Sequence, residues 1–219
     1  MLVVMATIAA TLLGTAAGLR SPHSAGEWSA IADMREGHTI NSAAALNDTL
    51  YLVGGTTGSG WNTPLAYHPA SDSWTPLPPL LKPRDHQAAA ALNGKVYALG
   101  GVGANANNTA LQALKSVEAL DPVTRMWSLS ADMPTSRYYL GAAELDGKIY
   151  VVGGMETAHT GRALNSAIVY NPTSDTWSPI ANMSTARCAQ RQALRCGRRH
   201  RRWPWHERPQ QRRSLRPSH

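Results

Sequence analysis

Cys188, Cys196, His200 and His206 place two thiols and two imidazoles close together in the sequence. Four such ligands could hold Zn²⁺ tetrahedrally. Their spacing, C-x7-C-x3-H-x5-H, argues against it, because a finger needs two close cysteines and then a longer run to its histidines. The basic run Arg198–Arg202 could neutralise phosphate, but the body of the chain offers no stacking platform or groove motif to go with it. Residues 1–186 contain no nucleophile motif, phosphate-binding loop or metal-ligand cluster. The sequence therefore assigns no catalytic residue, metal or cofactor, and it disfavours nucleic acid as a partner.

The charge distribution supports that division. The net charge of +7 comes entirely from the end of the chain. Residues 187–219 hold eleven arginines and a single acid, Glu207, whereas residues 1–186 are slightly acidic. Only the tail, residues 188–219, could attract an acidic partner. Both cysteines also lie there, so the body carries no disulfide framework. At the other end, residues 2–18 are free of charge and close on small residues, Thr15-Ala16-Ala17. That run is short for a membrane span and lacks a positive start. Residues 1–20 read as a secretory signal and the chain as secreted or extracytoplasmic. A retained membrane anchor, or a cytoplasmic chain with an inconsequential leader, are the alternatives. Three glycosylation sequons begin at Asn47, Asn107 and Asn182, and they matter only in a eukaryotic secretory pathway.

Between these ends the sequence repeats. Trp28, Trp74, Trp127 and Trp177 are spaced by 46, 53 and 50 residues. Glycine pairs follow the first three at a constant interval: Gly54-Gly55, Gly100-Gly101 and Gly153-Gly154 each begin 26 residues after a Trp. Pro69, Pro122 and Pro172 precede the next Trp by five residues. All variation in length therefore falls just after the glycine pairs, in "TTGSGWNTP" (56–64), "VGANANNTALQALK" (102–115) and "METAHTGRALN" (155–165). These have loop compositions. A constant framework with variation confined to one connection is how a repeat fold presents a surface.

Each unit reads as four short strands. In the second, 88–92 is an apolar run, Asn93-Gly94 a tight hairpin, and 96–99 a second strand. After the loop, 116–120 and 126–130 flank a turn set by Asp121-Pro122. Glycine suits a strand end that takes φ > 0 or runs close to neighbouring backbone. Two in succession predict a crowded junction where strand two enters the long loop. The tryptophans, Trp28 included, are expected to anchor the space between sheets. Gly54, Gly55, Trp74, Gly100, Gly101, Trp127, Gly153, Gly154 and Trp177 are thus read as architecture. Arg84 and Arg137, each 16 residues before a glycine pair, are read as structural hydrogen bonders.

Arg84, "ALNGKVYALGG" and "ALDPVTRMW" together resemble one kelch repeat, and Arg137, "ELDGKIYVVGG" and "VYNPTSDTW" resemble another. The first unit, "ALNDTLYLVGG" with "AYHPASDSW", departs from the pattern at His38, which stands where the arginine would be. The resemblance covers residues 27–187, with units at about 35–80, 84–133 and 137–183. It implies an all-β, kelch-type β-propeller fragment of about three four-stranded blades with partial flanking strands. It further implies a non-catalytic module that binds a protein partner, of unknown identity, through the loops between strands. The best contact candidates in those loops are Trp61, Asn105, Asn107, His159 and Arg162. The alternatives are a sugar-active enzyme on the same scaffold, like galactose oxidase or a sialic-acid epimerase, and a truncated product without function. Membrane contact is expected only if the leader is kept as an anchor.

At "MSTAR" (183–187) a fourth unit starts, and the pattern then stops. A disordered basic tail is one reading. The preferred one is a shifted reading frame over a further unit, because Trp203-Pro204 and Trp205-His206, read one base later, both encode glycine. Sequencing the genomic locus is expected to show a glycine pair in that frame near codon 203, 16 residues past Arg187. Stop codons or patternless sequence there would exclude it.

Overall fold

The computed structural model describes residues 28–189 except 35, 58–59, 62, 106, 108–109 and 157–161. The leader, the basic tail with Cys196, His200 and His206, and His159 lie outside the described residues.

Three four-stranded antiparallel sheets make up the structure, as the repeat implies. Unit one is β1 (Ser42–Leu46), β2 (Thr49–Val53), a small ribbon of β3 (Thr56–Thr57) and β4 (Gly60–Trp61), then β5 (Leu65–His68) and β6 (Ser73–Pro76). Unit two is β7 (Ala88–Leu92), β8 (Lys95–Leu99), a ribbon of β9 (Val102–Ala104) and β10 (Leu111–Ala113), then β11 (Val117–Asp121) and β12 (Met126–Ser130). Unit three is β13 (Gly141–Leu145), β14 (Lys148–Val152), β15 (Ala167–Asn171) and β16 (Thr176–Ile180). The first hairpin of each unit turns on two residues at positive φ: Asn47-Asp48, Asn93-Gly94 and Asp146-Gly147. This fixes the registers Leu46↔Thr49, Leu92↔Lys95 and Leu145↔Lys148. The sequence marks 102–115 as loop; the structure folds its ends into the β9/β10 ribbon, because Val102 and Ala113 have apolar cover.

The units fan out around an axis beside their first strands, which touch one another, β1 with β7 and β7 with β13. Their sequences, SAAAL, AAAAL and GAAEL, are small-residue runs that let sheets converge there. Two apolar cores fill the wedges between sheets. Ala44, Tyr51 and Val53 of unit one meet Ala89, Val96, Ala98 and Trp127 of unit two. Ala88, Leu92, Tyr97 and Leu99 of unit two meet Ile149, Val151, Ile168 and Tyr170 of unit three.

The tryptophans act at the outer rim. Three indole N–H groups donate to carbonyls of the segment that precedes their unit: Trp127 to Pro78 at 2.9 Å, Trp177 to Ala131 at 2.9 Å, and Trp74 to Ala32 at 2.8 Å. Trp127 is buried, and Trp74 and Trp177 are half-buried against Tyr67 and Tyr170. Trp28 departs from the expectation. It is fully exposed, at 101% of its reference area, because the described residues put no earlier sheet beside it.

The glycine pairs explain themselves in three dimensions. The first of each pair takes φ near +60° and the second φ of +94° to +99°. A Cβ on Gly54 would stand 2.7 Å from the Arg84 carbonyl of the next unit, and Gly100 and Gly153 are tighter still against the Arg137 and Arg187 carbonyls. A Cβ on the second glycine would strike a carbonyl of its own unit: Thr39 at 2.5 Å from Gly55, and Tyr138 at 2.9 Å from Gly154. The second glycine's N–H meanwhile donates to the next unit's arginine carbonyl: Gly55 to Arg84 at 2.9 Å, Gly101 to Arg137 at 2.7 Å and Gly154 to Arg187 at 2.9 Å. One glycine makes room for the next unit and the other for its own.

Gly100→Ala is therefore expected to cost at least about 3 kcal/mol, since a left-handed backbone and displaced neighbouring backbone add together. Gly147→Ala, at φ +71 with nothing within 4 Å of the new methyl, is expected to cost only about 1 kcal/mol. Urea unfolding of the two variants checks the contrast, and equal losses would refute it.

Candidate functional site

Antiparallel strands alternate in direction, so the long connections after the glycines share one end of every sheet with the connections between units. Bridges confirm the adjacency: Thr39 pairs with Thr56, Asp85 with Val102, and Tyr138 with Met155. The connections that vary in length between units meet on this face.

Arg84 and Arg137 hold the face from beneath. Both are 1% exposed. Arg84 Nη1 donates to the carbonyls of Gly100 (3.1 Å) and Ser116 (2.8 Å), and Nη2 donates to Ser116 Oγ (3.0 Å) and to the Glu118 carboxylate. Glu118 also accepts the backbone N–H groups of Leu81 (2.7 Å) and Lys82 (3.0 Å), tying the inter-unit connection down. Arg137 repeats the pattern on Gly153 (3.1 Å) and Ser166 (2.9 Å). Ile168 takes the repeat position of Glu118, so Arg137 has no carboxylate partner among its hydrogen bonds and its Nε has none at all. Burial lowers the pKa of both guanidinium groups, with Glu118 opposing the shift at Arg84.

Two residues beyond each of these positions lies a second device. Ile40, His86 and Tyr139 have φ of 58°, 55° and 53°, a left-handed conformation unusual for a β-branched or aromatic residue. They form a backbone relay near the axis. His86 N–H donates to Ile40 O (3.3 Å), Tyr139 N–H to His86 O (2.9 Å), and Ala189 N–H to Tyr139 O (2.7 Å). Residues 183–189 thus keep the spacing and bonding of a unit start. Strained backbone of this kind gathers at binding sites.

The side chains of this inner row form an aromatic and polar cluster. His86 Nδ1 donates to Asp85 Oδ1 at 2.6 Å, which fixes the orientation of the ring. Its ring stands edge-on to Tyr139 at 4.3 Å and to Tyr138 at 6.2 Å. Tyr138, Tyr139, Val102 and Met155 pack as one small core, with Cys188 against it. Among the described residues no three His, Cys, Asp or Glu side chains gather to hold a metal ion, and no helix is long and apolar enough to cross a membrane. The arrangement can offer hydrogen bonds and apolar contact to a ligand lying over the axis.

The contact candidates among the described residues, Asn105, Asn107 and Arg162 with the Trp61 backbone, lie in the long connections. Asn107 and Arg162 are exposed. Asn105 is half-buried and closes its loop: its N–H donates to Ala110 O at 2.8 Å, and its Oδ1 accepts from Ala110 N–H at 3.4 Å. The Trp61 backbone pairs with Thr56 in the β3/β4 ribbon. Sequence reasoning missed the inner row of Asp85, His86, Tyr138 and Tyr139. A signal was present: the second residue after His38, Arg84, Arg137 and Arg187 reads Ile, His, Tyr and Ala inside an otherwise repeated frame.

Three sheets fanned about an axis, linked by glycine pairs and rim indoles, define a segment of a β-propeller. The chain belongs to the kelch-repeat family. Residues 23–199 match the family model described as the KLHDC2/KLHL20/DRC7 Kelch-repeats domain. The chain is similar to mouse (Mus musculus) Kelch-like protein 35, with 31% identity over 157 residues, which is 71% of this chain and 25% of that protein. F-box/kelch-repeat protein At1g16250 of Arabidopsis thaliana is 36% identical over 69 residues, 32% of this chain and 18% of that protein. Kelch-like ECH-associated protein 1B of Danio rerio is 34% identical over 77 residues, 35% of this chain and 13% of that protein. The chain thus spans a quarter or less of these relatives' lengths. A solved structure titled "Structure of YjhT" superposes with a TM-score of 0.62 at 20% identity, covering 70% of this chain and 54% of that one; the likeness is one of fold.

His38 gives the site region a pH dependence. It is 7% exposed, its Nδ1 has no hydrogen-bond partner, and burial lowers its pKa below 6.5, more than Glu36 raises it. A depressed folded pKa means that the unfolded chain binds the proton first as pH falls. Stability is therefore expected to be complete above pH 6.5 and to decline below it. His38→Gln should flatten that decline in denaturant titrations, and an unchanged slope would refute the assignment.

Proposed function

We propose that this chain is a non-catalytic kelch-repeat module that binds a segment of a partner protein on the face carrying its long connections. One observation carries the reading. The variable loops, the strained row Ile40–His86–Tyr139 and the Asp85–His86 pair converge on a single face, above arginines that immobilise it. Kelch proteins generally mediate protein–protein contacts, and the curated relatives are F-box/kelch and Kelch-like proteins. A peptide across the inner row would meet the His86 imidazole, held in place by Asp85 and by the buried Tyr138 and Tyr139 rings packed edge-on to it. The outer loops would add polar contacts from Asn105, Asn107 and Arg162. We further propose that the charge-free run at residues 2–18 directs the chain to a secretory route, so that the partner is extracytoplasmic.

A displayed random-peptide library selected on the purified chain tests the binding face. Selected peptides, measured by calorimetry, are expected to lose about tenfold or more in affinity with His86→Ala. They should lose a few-fold with Arg162→Ala, and nothing with Lys95→Ala at the opposite end of the sheet. Peptides that respond to Lys95 and ignore His86 would overturn the reading.

A further inference from the structure

A cavity of about 380 Å³ opens at the seam between units two and three. Three segments wall it: Lys82 from the connection into unit two, residues 112–116 from the long connection of that unit, and Asp132 and Ser136 from the connection into unit three. Each segment is pinned through its backbone. Lys82 N–H donates to the Glu118 carboxylate at 3.0 Å, and its carbonyl accepts Arg84 Nε at 3.1 Å. Leu114 N–H donates to Gly101 O at 2.8 Å, and the Leu114 carbonyl accepts Arg137 N–H at 3.0 Å. Met133 N–H donates to Lys115 O at 2.9 Å and ties the two connections together. The opening is therefore built into the joint between the units, and its volume lies in the range of small-ligand sites.

Its side chains leave one positive charge unspent. Lys115 Nζ pairs with Asp132 Oδ2 at 3.3 Å, and the buried Arg84–Glu118 pair behind Ser116 is neutral as a whole. Lys82 has no ion-pair partner among the described residues. Ser116 Oγ accepts Arg84 Nη2 at 3.0 Å; a guanidinium only donates, so the hydroxyl keeps its own proton to give. Gln112 adds an exposed side-chain amide. A cation beside neutral donors suits an anion, and with the Asp132 carboxylate in the wall it suits an anion of one charge better than two. The repeat does not require these residues. Lys82 corresponds to Glu36 and Thr135 in the other units, Lys115 to Asn62 and Asn165, and Asp132 to Pro79 and Asn182. The framework bond persists without them, since Met183 N–H donates to Asn165 O at 2.8 Å. The charges at this one seam therefore serve something other than the frame.

We propose that this cavity binds a carboxylate, held by Lys82 Nζ and the Ser116 hydroxyl and carried by a free organic acid or by an acidic side chain of another protein. The Lys115 and Asp132 side chains are about half exposed, so little energy holds that pair, and Lys115 is free to turn to the ligand. The site shares no residue with the inner row and stands whether or not a peptide binds there.

Nuclear magnetic resonance titration of the full chain with sodium acetate, at an ionic strength held constant with chloride, tests the site. Acetate is expected to shift the amides of Lys115, Ser116 and Ser136 along a saturating curve. Lys82→Gln should weaken this binding about tenfold or more with unchanged circular dichroism. Asp132→Asn, which removes the opposing charge, should tighten it several-fold, and Lys95→Gln at the far end of the sheet should leave it as it was. Sulfate, a dianion, should bind more weakly than acetate. The peptide N-acetyl-Gly-Glu-Gly-amide separates the two sources: binding tighter than acetate assigns the carboxylate to a protein side chain, and equal or weaker binding assigns it to a free acid. Shifts that never saturate, that chloride alone reproduces or that survive Lys82→Gln would overturn the proposal. So would sulfate binding as tightly as acetate.

Discussion

Each unit is fastened to the next by a backbone hydrogen bond from the second glycine of a pair to an arginine carbonyl. Gly55 reaches Arg84, Gly101 reaches Arg137 and Gly154 reaches Arg187 in the same way. The bond forms only because two residues in succession lack a Cβ at left-handed φ. The arginine then turns back into its own unit and caps its own glycine carbonyl, as Arg84 does at Gly100. Glycine pair and arginine thus make one joint that both spaces and orients adjacent sheets. Sheets that converge on small residues and diverge toward indoles follow from it, and the rim tryptophans lock the wide side.

The same joint explains why the face carrying the long connections tolerates variety. The chain leaves each sheet at the second glycine and re-enters it at a serine or threonine held by the framework. Ser116 O, for example, accepts from Gly100 N–H at 3.1 Å. What lies between can change in length without moving either sheet. The inner row is fixed as firmly, because its residues are bonded to one another through the backbone while their side chains differ from unit to unit. Ile40, His86 and Tyr139 are thus a variable set of side chains on an invariant strained backbone.

Much of this was legible in the sequence. The glycine pairs and the Asn-Gly and Asp-Gly hairpins announce their conformations through residue type alone. The all-β propeller segment and its family followed from their order. A subtler correlation was also readable. Units one and three have Tyr67 with Asp72 and Tyr170 with Asp175, each carboxylate binding a tyrosine hydroxyl and an alanine N–H of the preceding unit. In unit two that N–H is missing, because the position is Pro78. There the tyrosine is Leu120 and the aspartate is Arg125, which donates instead to Pro76 O at 2.7 Å. The inner row showed in the sequence only as a varying position of the repeat; its contacts were not legible, since nothing in the string R-D-H-Q states that His86 faces Tyr139 of another unit. The exposure of Trp28 was hidden for a related reason: an indole is an anchor only where a neighbouring sheet exists to receive it.

Native-state hydrogen exchange at the second glycines tests the central joint most directly. If the Gly101 and Gly154 amides fasten one unit to the next, they exchange only through global unfolding. Their opening free energies should then match those of strand amides such as Val96 and Val151 and fall with denaturant at the same slope. Rapid, denaturant-independent exchange at both glycines, with the strands still protected, would contradict the account.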